Sequence, residues 1–429
     1  MTTTSVDQTN EKTGSPRAIL VGVELQNTRS LFPALEELEG LATTANYKPV
    51  ATLTQRLTNI NPKTFLGSGK VEELTQAVQT HKADVVILDE NLSPGQNRNL
   101  EKILKCKVID RAWLILEIFD KHAHTREAKT QVQLAQLKYA LPRLTRMWGH
   151  LSRQRGGIGM REVGETQIQL DRRLIRDEIH KLEQKLKQID KEKQTQRKSR
   201  KGMYKVSLVG YTNVGKSSLM NCLTGANTLV EDRLFATLDP TTRRVKKNFP
   251  FSILLSDTVG LINKLPHDLV ASFKSTLDEV READLLLKVT DICHPDIKNQ
   301  METTDRILAE LGVADTPAIL VFNKIDRVAE PIDDMMKRFP EAVCVSCRTL
   351  AGLDGLRQAI ILSYEKKLTS FRVILNYSQS NLVPIIRKHA MIVKEHYGQT
   401  KITLDLKVEP SEKNKLERLL AERRKDKTR

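Results

Sequence analysis

Gly210-Tyr211-Thr212-Asn213-Val214-Gly215-Lys216-Ser217 spaces two glycines, a lysine and a hydroxyl as G-x-x-x-x-G-K-[ST]. The segment follows the apolar run Val206 to Val209 and opens the helical stretch beginning at Ser218. That strand–loop–helix context is what a phosphate cradle requires, because backbone N–H groups at a helix N-terminus point at the anion. Lys216 would reach the β- and γ-phosphates, and the Ser217 hydroxyl would ligate Mg²⁺. The two glycines let the backbone turn tightly and approach the ligand.

The base is named by a second segment, Asn323-Lys324-Ile325-Asp326, at the end of the apolar run Ile319 to Phe322. A carboxylate there accepts from both N1–H and the 2-amino group of guanine. Adenine lacks that donor pair and would leave the acid unpaired. Asn323 would tie this loop to the P-loop, and the Lys324 stem would cover one face of the base. Ser346, Cys347 and Arg348 follow a later strand at the interval that supplies a backbone donor to guanine O6, with Cys347 where alanine is usual. Asp257-Thr258-Val259-Gly260 ends another apolar run. Asp257 would hold Mg²⁺ through water, and the Gly260 N–H would sense the γ-phosphate. Thr237, Thr241 and Thr242 all lie between the P-loop and this run, and any of them could be a switch threonine for Mg²⁺. Together these elements predict a GTPase with Lys216, the switch threonine and Gly260 as its catalytic contacts. Leu261 stands where many GTPases place a water-orienting glutamine. Leucine cannot position water, so slow, partner-triggered hydrolysis is expected.

A second α/β unit must carry these loops, with strands near 204–209, 243–256, 285–290, 318–322 and 342–346. Residues 203–369 are assigned to it. Upstream, 17–120 reads as a smaller α/β domain with a largely parallel sheet. Its strands fall at Ala18 to Val23, Asp84 to Leu88 and Cys106 to Ile109, and its helices around 28–46, 68–79 and 94–104. Residues 1–16 read as a disordered polar tail. Residues 370–429 read as a small α+β domain with a helix from Leu382 to Glu395 and a basic end.

Between the two α/β units, 121–202 carries two heptad-like stripes. Leu134, Leu137, Leu141, Leu144, Trp148 and Leu151 form one; Ile175, Ile179, Leu182, Leu186 and Ile189 form the other. They predict an antiparallel helical hairpin with arms of roughly 25–35 residues, the first kinked at Pro142. This stretch holds 21 Lys/Arg against 9 Asp/Glu, most of the chain's net charge of +16. The excess points to a polyanionic partner, nucleic acid before membrane. The loop from Ser152 to Gly164, with four glycines and three arginines, suits contact with structured RNA.

Five scattered cysteines exclude a disulfide framework, and Cys344 and Cys347 lack the further ligands of a zinc site. No apolar run is long enough to span a membrane, and a cytoplasmic protein is expected.

The sequence resembles the HflX-type GTPases, relatives of the Obg-like group. The carrying residues are Phe65 to Glu73 and, in the arm, Gly156 to Gly159, Gly164 to Gln167 and Asp171 to Arg173. In the nucleotide domain they are Gly210 to Ser217, Leu234 to Arg243, Asp257 to Gly260 and Leu265 to Val270. The resemblance spans about residues 17 to 369. It implies Thr237 as the switch threonine, within a nucleotide-contacting segment that includes Phe235, Ala236, Leu238 and Asp239. It also implies a monomeric factor on the large ribosomal subunit and its rRNA, able to split or rescue stalled ribosomes. Glu162 and Val163 depart from the family's arm tip, where arginine-glycine-proline-glycine is usual. Gly67 to Lys70 could suggest a second nucleotide site, but Ser68 capping the next helix is the simpler reading. The alternative function is a GTP-gated RNA- or partner-binding protein whose output is not hydrolysis. An RNA-modifying enzyme would need a further catalytic constellation that the sequence does not offer.

Overall fold

The computed structural model describes residues 14–25, 31–144, 163–198, 203–225, 234–235, 237–238, 241–245, 249–264, 274–328, 333–409, 413–414 and 416–418. Residues 1–13 of the expected N-terminal tail, residues 152–162 of the Gly/Arg arm loop, Trp148, Leu151, Ala236, Asp239 and the basic C-terminal end lie outside them, while Val163 and Gly164, expected in that loop, open a helix.

The first unit is a four-stranded parallel sheet in the order β2-β1-β3-β4. Its strands are β1 (Arg17–Leu25), β2 (Lys48–Leu57), β3 (Val85–Leu88) and β4 (Lys107–Asp110). The unbroken apolar runs of β1 and β3 are buried because helices cover both faces. Ile19, Val21, Val86 and Leu88 face α2 (Ser68–His81) and α3 (Pro94–Leu104). Ala18, Leu20, Val85 and Ile87 face α1 (Leu31–Thr44) and α4 (Arg111–His122). The edge strand β2 escaped sequence reading because Thr52, Thr54 and Gln55 interrupt its apolar character. Ser68 does not cap α2. Gly67 occupies that position, its N–H donating to Gln55 Oε1 at 3.1 Å, and Ser68 is the first helical residue.

The hairpin pairs α5 (Arg126–Ala140) with α6 (Val163–Lys198), antiparallel, as the Lys138–Glu183 and Lys193–Glu127 ion pairs require. Leu134 and Leu182 are buried between the two helices, while Leu170 and Leu174 on α6 are exposed. Instead of bending at Pro142, the first arm ends its α-helix at Ala140 and passes into a 3₁₀ turn, Leu141–Arg143. Proline offers no N–H and crowds the preceding turn. Arg143 then stacks 3.5 Å over the Tyr139 ring and donates to the Leu92 carbonyl, fastening the hairpin base to the first sheet.

The second unit is a six-stranded sheet in the order β10-β9-β8-β5-β7-β6. It holds β5 (Tyr204–Gly210), β6 (Thr241–Val245), β7 (Ile253–Asp257), β8 (Leu285–Asp291), β9 (Ala318–Asn323) and β10 (Val343–Cys344). All are parallel except β6, which runs antiparallel to β7. The single strand expected over 243–256 is therefore a pair, since Pro250 cannot donate to a ladder. Its helices are α7 (Lys216–Thr224), α8 (Lys274–Arg281), α9 (Ile297–Glu310), α10 (Asp333–Arg338) and α11 (Leu353–Lys367).

The last unit is an antiparallel sheet, β11-β13-β12, with α12 on one face. Its elements are β11 (Thr369–Asn376), α12 (Val383–His389), β12 (Met391–Tyr397) and β13 (Lys401–Val408). The helix expected to Glu395 stops at His389, because Ala390 is extended and the β-branched Ile392 and Val393 suit a strand.

Candidate functional site

β5 delivers Gly210 to the C-terminal edge of its sheet, where ligand loops of α/β folds gather. A Cβ on Gly210 would lie 2.1 Å from the Val289 carbonyl oxygen. One on Gly215, whose φ is +90°, would lie 2.3 Å from Asn323 Nδ2. Both positions therefore exclude side chains. α7 begins at Lys216, with Ser217 and Ser218 in its first turn.

Lys216 is buried and donates from Nζ to the carbonyls of Gly210 (3.1 Å) and Tyr211 (2.7 Å). Burial pulls its ammonium down to about 8, opposed by the Asp257 charge. An anion in the loop would favour the charged form. Beside it, Ser217 Oγ donates to Asp257 Oδ2 at 2.6 Å and lies 2.7 Å from Thr237 Oγ1. Thr237 Oγ1 itself donates to Asp257 Oδ2 at 3.2 Å. Asp257 is buried, with its Oδ1 unpartnered, and desolvation raises its pKa despite the nearby Lys216. Two hydroxyls around a carboxylate with an unsatisfied oxygen form a hard-oxygen set that fits Mg²⁺. Thr241 and Thr242, the rivals of Thr237, lie on β6, and the Thr242 hydroxyl pairs with Ser256 Oγ at 3.1 Å.

Gly260 is pressed against the P-loop. A Cβ there would sit 2.7 Å from Thr212 Cγ2 and 2.9 Å from Thr212 Cα. Thr212 N–H donates to the Leu261 carbonyl (2.9 Å), and Leu261 N–H donates to the Gly210 carbonyl (3.0 Å), closing a short parallel bridge. The Leu261 side chain is 5% exposed and packs with Val209, Val280, Leu286 and Ile307, so it serves the core. Thr258 and Val259 are also buried, Thr258 Oγ1 donating to the Leu208 carbonyl at 2.6 Å.

At the other end of the cleft, Asn323 Nδ2 donates to the Val214 carbonyl at 2.8 Å. Lys324 reaches Asn213 O at 2.9 Å and pairs with Asp291 at 2.7 Å. Asp326 Oδ1 accepts from Ser346 Oγ at 2.6 Å, and this bond holds the carboxyl below its ordinary range. Ser346 Oγ in turn accepts the N–H groups of Arg348 (3.2 Å) and Thr349 (3.0 Å), fixing the loop around Cys347.

Sequence reasoning did not foresee how the first sheet's domain grips this site. Tyr211 OH donates to Glu37 of α1 at 2.6 Å and accepts from Asn263 N–H at 2.9 Å. Arg111, fully buried on α4, pairs with Asp89 (2.6 Å) and Glu37 (3.0 Å) and donates to the Asn263 carbonyl. Burial alone would lower its pKa, but Glu37 and Asp89 outweigh it and keep the guanidinium charged. Lys264 completes the network on Asp89 and Glu90. Phe235, expected at the nucleotide, stacks edge-on against Phe119 of α4 with centroids 4.8 Å apart, and Leu238 is buried in the same core. Between the units lies a cleft of about 1140 Å³ lined by Tyr211, Asn213, Asp291 and Lys324 on one side and Glu36, His122 and His124 on the other. The signals for this grip are single residues scattered over the chain, and no motif ties them together.

Three stretches match families described as GTP-binding GTPase N-terminal (33–120), GTP-binding GTPase Middle Region (122–200) and 50S ribosome-binding GTPase (205–324). The chain is 52% identical to the protein named GTPase HflX of Flavobacterium psychrophilum, over 75% of this chain and 78% of that one. It is 42% identical to GTPase HflX of Caldanaerobacter subterraneus, over 91% of each. Among solved structures, a complex of SsGBP with GDP is similar at 27% identity, covering 82% of this chain and 99% of that one with a TM-score of 0.47.

Proposed function

The chain belongs to the HflX family of GTPases, and on that premise we propose that it couples GTP hydrolysis to association with the large ribosomal subunit. The observation that carries this reading is the joint arrangement of Lys216, the Ser217–Thr237–Asp257 cluster and the Asp326–Ser346 pair in loops that gather at the C-terminal edge of one sheet. In it, Lys216 gives up its carbonyl contacts to hold the β- and γ-phosphates. Ser217 and Thr237 would offer hydroxyl oxygens to Mg²⁺, and Asp257 would hold it through water. Mg²⁺, when bound, supplies charge neutralisation between the phosphates. The Gly260 N–H meets the γ-phosphate, and Asp326 reads guanine while Ser346 fixes its orientation.

The side of the reaction that activates water is thinly furnished. Leu261 is spent on packing, which supports a low intrinsic rate and a group supplied or ordered by the partner. The basic hairpin of α5 and α6 reaches the subunit through rRNA, its positive excess favouring phosphate contacts. Splitting or rescue of stalled ribosomes is the output this arrangement suits. The protein works in the cytoplasm as a monomer; among the described residues no helix is long and apolar enough to cross a membrane.

The deciding measurement is GTP turnover by the purified chain, alone and with large ribosomal subunits at near-physiological salt. A low rate that rises strongly with subunits supports the reading. A rate indifferent to subunits that nevertheless bind would favour a GTP-gated binding protein, the reading that the buried Leu261 keeps open.

A further inference from the structure

Two cysteines meet behind the base-binding end of the cleft. Cys222 lies on α7, which the P-loop feeds, and Cys347 lies between Ser346 and Arg348 in the loop assigned to guanine. The Cys222 thiol donates to the Cys347 carbonyl at 3.5 Å, which sets its sulfur directly against that residue. Both are partly exposed, and both pack on the same apolar core. By contrast, Cys344 faces Met336 Sδ at 3.4 Å.

We propose that Cys222 and Cys347 form a peroxide-driven dithiol–disulfide switch that loosens the guanine loop and speeds nucleotide release. The switch rests on the assignment of Ser346 to Arg348 as the guanine-facing loop.

The chemistry needs one peroxide per pair. The Cys222 thiolate attacks a peroxide oxygen, the O–O bond breaks, hydroxide leaves and the sulfur becomes a sulfenic acid. Cys347 sulfur then attacks that sulfur, the S–O bond breaks and the disulfide forms. The Cys347 proton and the departing hydroxide leave as water. Two thiols are oxidised by two electrons, and one peroxide is reduced to two waters. The roles follow the surroundings. The hydrogen bond with Cys347 lowers the Cys222 thiol against burial, and Arg357 assists, so Cys222 is the attacking sulfur. The same pairing and burial raise Cys347, which resolves.

A disulfide brings the sulfurs to about 2.05 Å, closer than any thiol contact, and so draws Cys347 toward α7. Ser346 and Arg348 move with it. That displaces the hydroxyl that orients Asp326 and the backbone donors beside the base. Loss of one such hydrogen bond corresponds to about tenfold faster GDP release.

The test uses the full chain loaded with a fluorescent GDP analogue, reduced or treated with hydrogen peroxide. It compares wild type with Cys222→Ser and Cys347→Ser, and maps peptides without reduction. The expected result is a linked Cys222–Cys347 peptide and about tenfold faster release, reversed by dithiothreitol and absent from both variants. No linked peptide, or a linked peptide with unchanged release, would overturn the switch. A reduced chain that holds the analogue no better than an adenine nucleotide would instead overturn the guanine assignment, and the switch with it.

Discussion

Replacing Leu261 with glutamine separates two accounts of slow hydrolysis. If the chain merely lacks a water-orienting side chain, Leu261→Gln should supply it and raise turnover. The structure argues otherwise. The Leu261 backbone is bonded on both sides to the P-loop, and its side chain fills a pocket among Val209, Val280, Leu286 and Ile307. Glutamine there forfeits about 2 kcal/mol of apolar burial and sinks an amide at a cost of about 1–3 kcal/mol more. The expected loss is roughly 3–5 kcal/mol, part of it recovered if the amide swings outward. Single-turnover GTP hydrolysis and urea unfolding of the same preparation measure both sides. Turnover within about twofold of wild type, with a clearly lowered unfolding midpoint, is expected. A tenfold or greater rise in turnover with unchanged stability would refute the packing argument and restore the missing-glutamine account.

Asp326→Asn should shift preference from guanine to xanthine nucleotides, and competition binding with both would expose an Asp326 that plays no part. Arg111→Met leaves Glu37 and Asp89 short of a buried partner and should cost about 3 kcal/mol, since Lys264 and Tyr211 still serve them. Adding Glu37→Gln and Asp89→Asn should recover much of that loss, and a triple variant no more stable than the single one would contradict this. Lys216 is depressed to about 8 in the free chain and stays protonated beside phosphate, so GDP binding takes up a proton above that pH. Affinity should fall about tenfold between pH 7 and 9, and calorimetry in buffers of different ionisation enthalpy should show uptake near one proton at pH 9 and none at pH 7. The same depression makes the free fold gain stability as pH rises from about 8 toward the unfolded lysine's ordinary range. Reversing Arg172, Arg173 and Arg176 on α6 should weaken subunit binding and flatten its salt dependence; binding indifferent to both would remove the arm from the contact.

The gathering of Gly210 to Ser217, Asp257 to Gly260 and Asn323 to Asp326 at one sheet edge was legible because such segments are short and local, each following an apolar strand. The buried strands were legible because unbroken apolar runs have few other uses. Three things were hidden for physical reasons. β2 and β12 are edge strands with polar or half-exposed faces, and they lack that signature. Phe235 lies two residues before Thr237 in sequence, yet its backbone takes a positive φ and its ring packs edge-on against Phe119. The charge network of Glu37, Asp89, Arg111 and Lys264 joins residues that only the packing of two units brings together.

Among the described residues the two arms of the hairpin are unequal, 15 residues in α5 against 36 in α6. The described ion pairs to α5 fall at Glu183 and Lys193, so the twenty residues of α6 before Glu183 span roughly 30 Å beyond the last of them. Mechanically this is a cantilever with its fulcrum beside the first sheet. A tilt of about 10° at the fulcrum would carry the free end through roughly 5 Å, more than the width of a phosphate group. A slight change in seating where the units meet is thereby converted into a stroke large enough to engage or leave a distant surface.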